Sequence, residues 1–94
     1  MRPYRNLKIA ALIQEKLSEI FVREFNFEGA LVTIVGVDVD EKLDKAFVKL
    51  SILPFQKGPE MFTMIDKSRR ALEHKLLRIM NIKPMPRLVF KIEQ

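Results

Sequence analysis

The chain has 94 residues, 48% hydrophobic and 31% charged, with a formal net charge of +5 and no cysteine. That length holds one domain burying roughly 60 to 65% of its unfolded surface, and the composition is that of a folded chain, not a disordered one. Without cysteine there is no disulfide framework and no thiolate nucleophile or metal ligand, as suits a reducing cytosol, while the excess of positive charge favours nucleic acid or an anionic membrane surface as partner.

Pro3 leads into a helical pattern over residues 4–25, where Ile9, Ala10, Ile13, Leu17, Ile20 and Phe21 recur on one side of the axis. Gln14, Glu15, Lys16 and Glu19 interrupt its apolar content, so it resembles neither an export signal nor a membrane span. Arg2, Arg5 and Lys8 form a basic cluster at its start, either a polyanion contact or a frayed terminus. Asn26 and Gly29 then suit a helix stop and a turn.

Residues 30–39 are rich in β-branched side chains and read as a strand; DEKLDK turns the chain and AFVKLSIL returns as a second strand, ended by Pro54. In the returning strand Ala46, Val48, Leu50 and Ile52 alternate with Phe47, Lys49, Ser51 and Leu53, one buried face against one partly wet. Asp38, Asp40, Glu41 and Asp44 crowd the turn, but the spacing of a calcium loop is missing, so they read as solvated and no metal is assigned. Phe47 could stack on a base; packing against a neighbouring strand or Phe90 is the preferred reading.

After PFQKGPE a second helical pattern covers residues 61–80, with Ile65, Leu72, Leu76 and Ile79 on one arc and Lys67, Arg70, His74 and Arg78 opposite. Met61, Met64 and Met80 fill gaps or line the helix. Arg69 projects about 40° from Ile65, inside the apolar arc, so either its stem snorkels or the helix is kinked or interrupted near Ser68 to Arg70. Lys75 and Lys83 flank the helix end, extending the patch or facing the helix dipole. Two prolines in NIKPMPRLVFKIE preclude helix, and RLVFKI reads as a third strand.

From Lys67 to Gln94 there are eight Lys or Arg against two acids, whereas residues 26–66 carry four against seven, so the charge forms a face. His74 is the sole histidine and has no neighbouring nucleophile. No catalytic residue and no cofactor follow. Helix, strand, strand, kinked helix, strand predicts a single α+β domain over residues 1–94, its helices covering one face of a three-stranded sheet.

That order is the type II KH arrangement, and the chain resembles bacterial ribosome-binding factor A over nearly its whole length. ALIQEKLSEI is similar to the first helix of that family, VTIVGVDVDEKLDKAFVKLS to its strand-turn-strand signature, and the run from Leu76 to Phe90, with Lys83, Pro84, Pro86, Leu88 and Phe90, to its R-x-x-P-x-L-x-F end. Lys83 stands where that family usually has arginine, keeping charge but losing planar bidentate geometry. Ser68, Arg69 and Arg70 align with the family's Ala-x-Gly interruption. Neither that motif nor the G-x-x-G loop of ordinary KH domains is present, the only glycines being Gly29, Gly36 and Gly58. The sequence also stops soon after the last strand, where many members of that family carry a longer basic or flexible tail.

The resemblance implies a non-enzymatic, cytoplasmic and monomeric assembly factor. Its partner would be the small ribosomal subunit and its rRNA, with other assembly factors or GTPases nearby and no membrane. It implies a role in late maturation and 5′-end processing of that rRNA, notably in the cold. Arg2, Arg5, Lys8, Lys67, Arg69, Arg70, His74, Lys75, Arg78 and Lys83 are the expected RNA contacts. The alternative is a KH-like RNA-binding protein or RNA chaperone not dedicated to ribosomes.

Overall fold

A computed structural model describes residues 4–93. Arg2, an expected RNA contact, and Pro3, the expected helix lead-in, lie outside the described residues.

Helix α1 spans Arg5–Glu24, and the residues it buries are Ile9, Ala10, Ile13, Leu17, Ile20 and Phe21, the arc expected from their spacing. Two antiparallel strands follow, β1 (Leu31–Val39) and β2 (Lys45–Leu53). A single 3₁₀ turn at Phe55–Lys57 leads into α2 (Gly58–Lys67), which starts three residues earlier than the apolar pattern implied. Helix α3 (Arg69–Met80) ends on Asn81, whose left-handed backbone (φ 53°) lets its N–H return to the Leu77 carbonyl at 2.8 Å. Strand β3 (Arg87–Ile92) pairs parallel to β2, so the sheet order is β1-β2-β3. Among the described residues this is the expected α+β, KH-like arrangement, with three helices on a mixed three-stranded sheet.

The core lies between the helices and one sheet face. Ala46, Val48, Leu50 and Ile52 of β2 are fully buried there beneath Ile13, Leu17, Ile20, Met61, Ile65 and Leu76. Apart from Ala46, each of these side chains contributes about 1.5–3 kcal/mol, which is why so short a chain can fold on one core. Phe21, Phe25 and Phe27 close one end of it, with ring centroids 5.2–5.6 Å apart.

Strand β1 keeps its apolar residues on the core side only through a bulge. Val32 and Ile34 face Ile52 and Leu50; the register then shifts between Ile34 and Gly36, so that Val37 and Val39 oppose Val48 and Ala46. A strict two-residue alternation would instead turn Asp38 into the core. As an edge strand β1 also presents outward carbonyls, and α1 satisfies two of them: Gln14 Nε2 donates to the Ile34 oxygen at 3.2 Å and Asn6 Nδ2 to the Val39 oxygen at 3.1 Å. In the acidic turn, Asp40 Oδ1 accepts the backbone N–H groups of Asp44 at 2.7 Å and Lys45 at 3.2 Å.

Phe47 lies against the neighbouring strand, one of its two expected partners, and not on Phe90: Phe90 is registered with Val48 on the core face, whereas Phe47 is registered with Val89 on the opposite face, under the Lys91 ammonium at 5.1 Å. Ile79 leaves the apolar arc and is 45% exposed, because the interruption after α2 re-aims α3: Ile65 of α2 and Leu72 and Leu76 of α3 are buried, and Ile79 is not.

Candidate nucleic-acid interface

The helical pattern is interrupted at Ser68, which has φ −90° and ψ 3° and links α2 to α3. Its N–H turns back to the Ile65 carbonyl at 3.0 Å, a 3₁₀ bond, in place of the α-helical bond to Met64. The Met64 carbonyl so released accepts the Ser68 hydroxyl instead, at 3.3 Å. A serine can therefore make the break without glycine, since its side chain satisfies the acceptor that the break leaves open.

The break accounts for Arg69. As the first residue of α3 it is half-buried, and its Nη1 lies 3.4 Å from Glu73 Oε2. The same carboxylate oxygen accepts the backbone N–H of Leu88 at 2.8 Å, fixing the outer edge of β3 against α3. Glu73→Ala removes both links, and we expect it to lower stability by about 1–2 kcal/mol, read as a shifted urea midpoint with unchanged slope. Amide exchange at Leu88 should accelerate; an unchanged exchange rate there would show that Glu73 does not hold the edge.

A groove of about 300 Å³ opens where the break meets β3. Asp66 and Arg69 line it from the helices, Lys45 from the start of β2, and Arg87 to Phe90 from β3. Beyond it, the outer side of α3 carries Arg70, His74 and Arg78, all exposed and four residues apart, so they form a row about 12 Å long. His74, Lys75 and Arg78 border a shallow hollow with Ala71 and Ile79.

The ten residues expected to touch RNA thus separate. Lys67 ends α2, and Lys67, Arg70, His74 and Arg78 are exposed around the break, with Lys83 exposed in the loop after α3. Among the described residues, Lys67, Arg70, Arg78 and Lys83 have no carboxylate partner, so their charge is available. Arg69 is engaged by Glu73, and Lys75 is ion-paired to Glu24 of α1. Arg5 and Lys8 are exposed at the far end of α1, Arg5 about 28 Å along the axis from Glu24, so they do not join Lys75 in one patch. Lys45 and Arg87, which are not among the ten, also line the groove. They are register partners at the start of two parallel strands, a pairing that no local periodicity reports.

Comparison with known proteins agrees with this architecture. A family model described as ribosome-binding factor A matches residues 5–94. The ribosome-binding factor A of Chloroherpeton thalassium is 37% identical over 91 residues, covering 92% of this chain and 71% of the relative. That of Anaplasma marginale is 28% identical over 90 residues, covering 95% and 77%. A homology model of the Thermus thermophilus ribosome binding factor A, fitted into a cryo-EM map of a 30S complex, superposes with a TM-score of 0.69 over 97% of this chain and 93% of its own. Its identity of 19% makes that a likeness of fold. With a family match over nearly every residue and a common fold, the chain belongs to the ribosome-binding factor A family.

Proposed function

We propose that this chain binds the small ribosomal subunit through its rRNA and assists late maturation of the particle, including 5′-end processing of the small-subunit rRNA. It works in the cytoplasm as a monomer, by binding and not by cutting, and matters most in the cold, where misfolded RNA is slowest to rearrange. The observation that carries this reading is the set of cations with no carboxylate partner among the described residues, Lys67 and Arg70 at the helix break, Arg78 further along α3 and Lys83 beyond it, on a chain of this family.

The mechanism follows from what the groove contains. No glycine lies at the break, so the backbone clamp that ordinary KH domains close on four single-stranded nucleotides is missing. Side-chain ammonium and guanidinium groups supply the attraction instead. They neutralise phosphates and release counterions, which gives affinity for a folded RNA surface with little base readout.

Co-sedimentation with purified small subunits across a salt series tests the reading. The expected result is binding whose logarithm falls linearly with log salt, and preference for subunits over free single-stranded RNA. Equal affinity for free RNA would favour a general RNA chaperone. Sustained magnesium-dependent cleavage of precursor rRNA by the pure protein, abolished by Asp40→Ala, would contradict a binding role.

A further inference from the structure

The sheet face turned away from the helices carries charge of its own. Strands β2 and β3 run parallel in a register that sets Lys45 beside Arg87 and Lys49 beside Lys91, with Phe47 and Val89 between the two pairs. Residues of one strand that alternate share a face, so all six side chains lie on the uncovered side. Like charges placed side by side across a strand pair disfavour folding, and here the arrangement occurs twice within about 13 Å of strand. One of the four cations is compensated locally: Lys49 Nζ sits 2.9 Å from Asp38 Oδ2, and that carboxylate, with Glu93 more distant, raises the Lys49 ammonium above its ordinary pKa. Lys45, Arg87 and Lys91 have no carboxylate partner among the described residues, and Lys91 extends over the Phe47 ring.

Lys45 and Arg87 also line the groove at the helix break. Lys45 and Arg87, at the start of β2 and of the edge strand β3, therefore connect the groove with the sheet face. We infer that the uncovered sheet face is a second RNA-backbone contact, in which Lys45, Arg87 and Lys91 neutralise phosphates of a strand that passes round the β3 edge from the groove. The occupant is a phosphodiester backbone and not an acidic protein surface, because Lys45 and Arg87 belong both to this face and to the lining of the groove proposed to hold RNA. The Lys91 ammonium over Phe47 also leaves that ring unavailable as a stacking platform, so the contact is ionic and indifferent to base identity. This inference rests on the binding role proposed above.

Lys45→Gln/Lys91→Gln tests it, since both side chains are exposed and neutralisation leaves the core untouched. In co-sedimentation with small subunits the double variant is expected to lose about 10- to 30-fold in affinity near 0.1 M salt and to flatten the salt slope by about two units. The cysteine-free chain allows a second reading: Ser51→Cys, on the same face, carries a photocrosslinker as the sole thiol and is expected to crosslink rRNA. Wild-type affinity and slope for Lys45→Gln/Lys91→Gln, alongside weakened Arg70→Glu/Arg78→Glu, would overturn the second contact while leaving the proposed function standing. Crosslinks from residue 51 to ribosomal protein alone would overturn it likewise. Failure of the unaltered chain to sediment with small subunits would overturn both.

Discussion

Arg70→Glu/Arg78→Glu is expected to weaken binding to small subunits by at least about 30-fold near 0.1 M salt and to reduce the slope of log K against log salt by about two units. Each lost phosphate contact removes roughly a factor of five through counterion release alone, and reversal adds repulsion from the same phosphates. Both side chains are exposed on the outer row of α3 and neither has an acidic partner among the described residues, so the double variant loses no internal contact. Its thermal midpoint should therefore match that of the parent. Glu73 and Glu24 provide the contrast, because the cations they hold, Arg69 and Lys75, are already compensated. Neutralising Arg69 or Lys75 should cost less affinity per charge than neutralising Arg70 or Arg78. Co-sedimentation at four or more salt concentrations reads all of these, and a double reversal that left the slope unchanged would remove the α3 row from the interface.

Leu50→Ala should be the most damaging single truncation in the core, at about 3–4 kcal/mol. Leu50 is 0% exposed at the middle of the central strand, flanked by Ile34 of β1 and Ile92 of β3, and it touches both halves of the sheet. Backbone pairing on both sides prevents the strand from collapsing into the cavity, so the loss approaches the upper part of the range for leucine. For a domain of this size the change corresponds to a drop in Tm of about 15–25 °C. Leu50→Met, which keeps most of the volume, should cost under about 1.5 kcal/mol. Thermal unfolding followed by circular dichroism separates the two, and a Leu50→Ala cost below about 1 kcal/mol would show the central strand to be far less confined than its burial implies.

The elements were legible because they follow local rules. Ile9, Ala10, Ile13, Leu17, Ile20 and Phe21 repeat every three to four residues and are the residues α1 buries, and Ala46, Val48, Leu50 and Ile52 alternate and are the ones β2 buries. The anomaly of Arg69 left two readings, a snorkelling stem or a break near Ser68, and the structure has the break, with the guanidinium paired to Glu73. Other features were invisible for definite reasons. The bulge at Ile34 to Gly36 lies inside an unbroken apolar run, where either parity looks acceptable until the β2 partners are known. The αL stop at Asn81 depends on a single backbone angle, and the exposure of Ile79 on the direction α3 takes after the break.

The basic row on α3 and the apolar stripes came from residue spacing alone, because a helix or strand converts sequence separation into a fixed angle or a fixed face. Which cations are free was decided only when distant elements met. Glu24 of α1 reaches Lys75, Glu73 reaches the β3 edge while it holds its own helix neighbour Arg69, and Asp38 reaches Lys49 across the hairpin. Parallel pairing of β2 with β3 then set Lys45 beside Arg87 and Lys49 beside Lys91. Charge is a property of the residue, but its availability depends on which opposite charges folding places within a few ångströms, because Coulomb attraction falls with distance and is screened by water and salt beyond that.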